Sequence, residues 1–542
     1  MRQHPAFAFC ALVLLASLAR AQSLIHQFPG FGGGFGHCVR SAGDVNGDGY
    51  DDVIIGSPSE GGGTPEGRAR VYSGKDASLL YTFQGESQSF QFGWAVDGAG
   101  DVNGDGVPDL IVGDYNDDNV NLGGGLARLY SGANGSILHS FYGPALDALG
   151  ISVAGAGDVN ADGRADVIVG AVQWFIPNSE TGYAKVYSGL DNSTLYTFVG
   201  AGPQCRFGTE VGGMGDADGD GYADVIVGAY WSNAAYAEAY SGKTGQLLWH
   251  QANLWDGFGR AVRGAGDVNG DGLPDGVVGG VPSLVQFPGH AAVFASPTGQ
   301  LLHHWIEGAA IDEFGYSVSS AGDVNSDGFD DVLIGAEGIG PPGYVRVRSG
   351  KTGASLYRVN APAGTSLYGG SVGELHDYDA DGYADFIAGA WSGQGAVTVI
   401  DGVCLGASPY GASTPGCTGA ELINASAVPT VGNATFEFHS TNAPPQSVGL
   451  LLVGDVPNVA GAGYLGLGVQ FHVDLFASAQ LLGLNAASDA KGYGVAPAPI
   501  PNNPALHGAS VYGQMVWLWP ATSCSLPPFG LSATNALKIT FP

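Results

Sequence analysis

The stretch Gly43-Asp44-Val45-Asn46-Gly47-Asp48-Gly49-Tyr50-Asp51-Asp52-Val53-Ile54-Ile55-Gly56 constrains this chain more than any other. It is an acidic turn running straight into a short apolar strand, and the chain uses it seven times. The copies begin at Asp44, Asp101, Asp158, Asp216, Asp267, Asp323 and Asp377, spaced by 57, 57, 58, 51, 56 and 54 residues. Repetition at a fixed period means that each copy is one supersecondary unit whose apolar face is buried by its neighbours. A period above 50 is long for a helical solenoid and suits a four-stranded propeller blade with generous loops.

The turn reads D-x-[ND]-x-D-G-x-x-D. Positions one, three, five and nine are Asp44, Asn46, Asp48 and Asp52; Asp101, Asn103, Asp105 and Asp109; Asp158, Asn160, Asp162 and Asp166; Asp216, Asp218, Asp220 and Asp224; Asp267, Asn269, Asp271 and Asp275; Asp323, Asn325, Asp327 and Asp331; and Asp377, Asp379, Asp381 and Asp385. Side-chain oxygens at alternate positions of a tight loop converge on a point, and many oxygens in irregular geometry suit Ca²⁺ better than Mg²⁺. Up to seven Ca²⁺ ions are therefore expected. Position six is Gly in every copy, as a sharp turn with positive φ demands. Position seven varies from Arg164 to Tyr222, so only its carbonyl is expected to be used. An EF-hand needs a Glu at position twelve and a following helix, whereas the first copy has Ile55 there and runs into a strand. Asp-Gly turns without metal are common in β proteins, but seven copies with all four polar positions go beyond that pattern.

The flanks carry a resemblance. Phe35-Gly36, Phe92-Gly93, Phe207-Gly208, Phe258-Gly259 and Phe314-Gly315 precede the turn, with Leu149-Gly150 and Tyr368-Gly369 as variants. Gly56-Ser57-Pro58 or a Gly-Ala pair such as Gly170-Ala171 follows it. Over roughly residues 22–402 this resembles the FG-GAP repeat of the integrin α-subunit N-terminal domain, a seven-bladed β-propeller with Ca²⁺ loops in some blades. Here all seven copies keep the loop. The resemblance implies that the face opposite the metal loops is the ligand face.

Residues 1–21 read as a secretory signal: Arg2 and His4, an apolar core Phe7 to Leu18, then Ala19-Arg20-Ala21. No later apolar run reaches membrane length, so an exported or cell-surface protein without a membrane span is expected. The net charge is −31, and positions one, three, five and nine of the seven loops hold 23 of the 50 acids. Seven divalent ions would bring the charge to about −17, so the acidity belongs largely to the metal sites. No Lys/Arg cluster is present to neutralise phosphates, which argues against nucleic acid.

The fold class expected is all-β: a seven-bladed propeller over 22–402, a linker at 403–420, and a β-sandwich-like domain at 421–542. After strand C of blade seven at Ala396–Ile400 no fourth strand follows, whereas Leu24-Ile25-His26-Gln27-Phe28-Pro29-Gly30 matches the outer strands of other blades. The N-terminal segment is thus expected to close blade seven. Of the cysteines after the signal, Cys404–Cys417 is the favoured disulfide, Cys417–Cys524 the alternative, and Cys38 and Cys205 lie too far apart in a ring to pair.

No catalytic constellation emerges. Gly369-Gly370-Ser371-Val372-Gly373 fits G-x-S-x-G but sits in an inner strand, not a strand-to-helix elbow. Gly242-Lys243-Thr244 lacks the first glycine of a phosphate loop, and His303-His304 lacks a zinc pattern. Up-and-down strands place the A–B and C–D loops on one face and the B–C and D–A loops on the other. The second face collects Tyr115, Trp174, Phe175, Tyr230, Trp231, Phe287 and Trp391. Tyr115, Trp174, Tyr230, Trp231 and Trp391 are the candidate ligand-binding residues, with inward packing as the bland alternative. The expectation is a secreted, calcium-binding recognition or adhesion module without catalysis, its partner an extracellular protein or glycan. A polymer-active enzyme or its binding part, and a structural surface protein, are the alternatives.

Overall fold

A computed structural model describes residues 24–402, except 62–66, 175–180, 232–234, 253, 283–286, 308–310, 326, 339–342, 377 and 379–383, and beyond 402 only the backbone of strands between 407 and 540. The expected signal, Phe175, three carboxylates of the seventh loop (Asp377, Asp379, Asp381) and the disulfide candidates Cys404, Cys417 and Cys524 lie outside the described residues. Among the described residues no helix is long and apolar enough to cross a membrane.

Seven four-stranded antiparallel sheets form the propeller. In blade two, strand A is Ala95–Gly100, B is Asp109–Asp114, C is Leu126–Tyr130 and D is Ile137–Tyr142. The burial follows the sequence pattern. Strand B of every blade, such as Asp166–Ala171, is buried along its whole length, as its unbroken apolar run requires. The outermost strand D alternates, with Leu79, Ile137 and Leu247 exposed at its start.

The ring closes as expected. Leu24–Pro29 pairs antiparallel with Ala396–Ile400, Phe28 opposite Val397, and completes the sheet of Tyr368–Leu375 and Asp385–Ala390. Joining the two ends of the propeller in one sheet leaves no open seam between the first and last blades. A further clasp lies between blades. The strand-D Phe of one blade stacks on the strand-C Tyr of the next: Phe83 on Tyr130 at 3.9 Å, Phe141 on Tyr187 at 4.0 Å and Phe198 on Tyr240 at 4.0 Å. Phe28 meets Tyr72 at 4.9 Å in the same way across the closure. Each such pair is worth about 0.5–1.5 kcal/mol beyond its burial.

The Phe-Gly pair has a packing cause. Phe35, Phe92, Phe207, Phe258 and Phe314 are fully buried between blades. Gly93 has φ +84°, and a Cβ there would lie 2.3 Å from the Arg68 carbonyl of the preceding blade. Gly56, at the end of strand B, would carry its Cβ to 2.1 Å from the Gly93 carbonyl. Blades therefore approach at glycine-sized gaps.

Beyond the propeller, nine strands form one sheet and Pro457–Ala462 pairs with Phe471–Val473. Ala407–Tyr410, within the expected linker, is an edge strand of that sheet, paired with Ala536–Thr540. An edge strand tolerates Pro409, which cannot donate to a ladder, and this hid the strand from a reading by periodicity.

Candidate functional site

The acidic turns connect strands A and B. In blades one to six the A–B register slips just before the turn, as between Gly98 and Gly100 opposite Asp109, and this bulge swings the chain into the loop, whereas in blade seven the register runs unbroken to Leu375 opposite Asp385. Within the loop the carboxylates first organise their own backbone. In copy one, Asp44 accepts from the amides of Asp48 at 3.0 Å and Gly49 at 2.8 Å. Asn46 Oδ1 accepts from Asp48 N at 2.9 Å, and Asp48 Oδ1 from Tyr50 N at 3.1 Å. The same bonds recur in copies two to five, for example from Asp158, Asn160 and Asp162.

Position nine does a different job. Asp52 is fully buried; Oδ2 accepts from Val45 N at 3.0 Å and Oδ1 from Gly74 N at 2.9 Å. It thereby ties its own A–B loop to the C–D turn, and Asp109, Asp166, Asp224, Asp275 and Asp385 repeat the tie to Gly132, Gly189, Gly242, Ser296 and Gly402. Burial is the main cause that pushes the Asp52 and Asp275 carboxyls up to about 7 and those of Asp109, Asp166 and Asp224 to about 6, against the pull of the backbone amides. Neighbouring loop carboxylates add to the rise. Such a group favours any nearby positive charge.

Two observations bear on whether a cation fits. In copy four, Asp216, Asp218 and Asp224 bring carboxylate oxygens within 4.8 Å of one another, the one such triple among the described residues. In copy six, Asn325 Oδ1 and Asp331 Oδ2 are buried and have no hydrogen-bond partner among the described residues. Oxygens engaged by one N–H keep a lone pair, so the amide bonds of the other copies do not use up their donors. The all-oxygen donor set is that of a hard cation. The fifth-position Asp220 stands apart from the copy-four triple, with Lys243 Nζ at 3.9 Å from its Oδ2.

At the other end of the same strands lies a cavity of about 310 Å³ at the mouth of the central channel. All seven blades line it, and each contributes the residue directly after its Phe-Gly pair or variant: His37, Trp94, Ile151, Thr209, Arg260, Tyr316 and Gly370. Deeper, Arg40 and Arg263 reach Glu210 at 3.7 and 3.4 Å, and Arg263 reaches Asp97 at 3.7 Å. Arg40 also donates to Ser371 Oγ at 3.1 Å and to the Val372 carbonyl at 2.9 Å. The deeper charges thus compensate one another across the ring, and Ser371 is a structural acceptor there, as its inner-strand place implied.

Around the rim, guanidiniums lie on rings. Arg206 sits 3.9 Å from the Trp231 ring centre and 4.8 Å from that of Trp174. Arg260 sits 3.9 Å from Tyr316 and 5.4 Å from Tyr230. Such placements are stabilised by the ring quadrupole. His37 packs 4.1 Å from Trp94, and burial pushes its pKa down to about 4, so it adds no charge.

Of the expected ligand residues, Trp174, Tyr230 and Trp391 line the cavity. Trp174 and Trp231 are each 43% exposed, and Trp231 backs Arg206 at the rim. Tyr115 is half-buried against Trp94 and Trp174. Phe287 is exposed and lies off the cavity wall. Reading B–C loops alone missed Trp94, Arg260 and Tyr316. Their signal was the residue after Phe-Gly, which changes identity in every copy.

A model of the FG-GAP repeat matches residues 41–72, 149–187 and 314–347. Integrin alpha-5 of Xenopus laevis is 26% identical over 277 residues, covering 48% of this chain and 21% of that protein. Integrin alpha-V of Gallus gallus is 29% identical over 262 residues, 46% of this chain and 20% of that protein. Integrin alpha-4 of Xenopus laevis is 30% identical over 220 residues, 38% and 20% respectively. The chain spans about a fifth of the length of these relatives.

Proposed function

We propose that this chain, which carries FG-GAP repeats and is similar to integrin α subunits, is an exported recognition and adhesion module that catalyses no reaction. The observation that carries the reading is the channel mouth. Its wall joins exposed and half-buried aromatics from several blades to arginines. Concave aromatic surfaces with a few convergent polar groups are what ligand sites are made of.

The acidic turns serve stability in this reading. Positions one, three, five and nine of each loop would hold a calcium ion, copy four with Asp216, Asp218 and Asp224 as its core. The ion supplies charge neutralisation where burial has raised the position-nine carboxyls. Asp224 itself joins the loop to the C–D turn through Gly242.

The test is capture of extracellular-matrix and cell-surface material on the immobilised full chain in calcium. Trp174→Ala and Trp391→Ala should each lower capture several-fold without altering the fold by circular dichroism. Capture that survives both substitutions, or that residues 421–542 reproduce alone, would contradict the reading.

A further inference from the structure

We propose that the channel mouth receives a hexuronate sugar, with the Arg260 guanidinium taking the carboxylate and Trp174 offering its ring to the pyranose; this rests on the recognition reading above. Three features of the cavity lead there.

The first is the sign of the charge it shows. In a chain of net charge −31, the cavity lining holds four arginines and a single acid, Glu210. Arg40 and Arg263 are the arginines that Glu210 and Asp97 offset. Arg206 and Arg260 stand at the rim, each over aromatic rings. Glu313 and Glu337 act on Arg260 through space, but neither lines the cavity.

The second is the state of Arg260. Its guanidinium carbon lies 3.9 Å from the Tyr316 ring centre and 5.4 Å from that of Tyr230, and the guanidinium makes no hydrogen bond among the described residues, although it lines the cavity. A guanidinium flanked by two rings without a hydrogen-bonded acid keeps its N–H donors for a ligand, in a fork that matches a carboxylate.

The third is shape. About 310 Å³ is at the small end of ligand pockets and is closed round by seven blades. It suits one or two rings of a glycan better than an extended peptide, which needs a groove or a sheet edge. Trp174, still 43% exposed beside Arg206, gives a flat apolar platform next to the cations. A sugar that carries both an apolar ring face and a carboxylate uses both.

Titration calorimetry of the full chain in calcium would use a tetrasaccharide of alternating glucuronate and N-acetylglucosamine, its carboxyl-reduced counterpart, and a hexaglutamate peptide. The expected result is binding of the acidic sugar, at least tenfold weaker binding of the reduced sugar, and a comparable loss in Arg260→Gln. Arg260→Lys should restore only part, because an ammonium keeps the charge without the fork. If Arg260→Gln melts early, Trp174→Ala, at an exposed position, should still weaken the sugar several-fold. Equal binding of both sugars, tighter binding of the peptide, or unchanged affinity in both variants would overturn the proposal. If the tetrasaccharide does not bind while the immobilised chain still captures matrix material through Trp174 and Trp391, the sugar fails and the recognition reading stands.

Discussion

The two ends of the same inner strands obey opposite rules. At the loop end, copies one to five repeat one hydrogen-bond scheme, from Asp44 and Asp52 in blade one to Asp267 and Asp275 in blade five. At the channel end, the residue after Phe-Gly is His37, Trp94, Ile151, Thr209, Arg260, Tyr316 or Gly370, different each time. Positions that face the same neighbour in every blade serve the shared fold. Positions that face the unique space on the ring axis are free to differ, and there seven different residues line one cavity. The loop end should therefore govern stability and the channel end recognition.

The largest expected effect comes from stripping cations. Extracellular calcium sites bind with Kd on the order of 10⁻⁴–10⁻³ M, and an ion at ten to a hundred times Kd stabilises by about 1.4–2.7 kcal/mol per site. Over several sites, chelation should lower Tm by roughly 15 °C or more, with Ca²⁺ restoring it better than Mg²⁺ in differential scanning calorimetry. An unchanged Tm would break the loop half of the comparison.

Next is Asp52→Ala. It leaves the buried amides of Val45 and Gly74 without their acceptor. The expected cost is about 2–4 kcal/mol, and it should persist in chelator, since the tie is made without an ion. Denaturant unfolding with and without calcium measures it; a cost that vanishes in chelator would reduce Asp52 to a metal ligand alone.

A smaller effect follows from Glu337, buried and accepting from Trp391 Nε1 at 3.0 Å. Burial is the main cause that pushes its carboxyl from 4.5 up to about 7. The folded state then keeps a proton that the unfolded chain has lost. Its contribution is present below about pH 4.5 and is lost as pH rises through 7, by about 3 kcal/mol at most. Glu337→Gln should flatten that slope in calcium, where the loop carboxylates are held ionised; an unchanged slope would count against it.

The smallest effect on stability should be that of Trp174→Ala, within about 0.5 kcal/mol because the ring is 43% exposed. A large loss of Tm with capture intact would place Trp174 among the packing residues instead.

Much of this is legible in the sequence alone. The repeat announced the blades, and the match between Leu24–Gly30 and other outer strands announced the closure that Leu24–Pro29 makes. Local chemistry repeated seven times leaves a pattern. The double duty of Asp52 was not legible, because its second partner, Gly74, lies across a C–D turn. The channel mouth was half legible: Trp174, Tyr230 and Trp391 stood out as loop aromatics, whereas Arg260 and Tyr316 hid inside strands. Their meaning comes from meeting on the axis, which no spacing along the chain encodes.

Calcium counting by equilibrium dialysis of the folded chain tests the central claim most directly. About seven ions per chain, released by chelator together with the fall in Tm, is the result expected of an acidic turn that the sequence repeats seven times. A folded chain that takes up no calcium at millimolar concentration would contradict it.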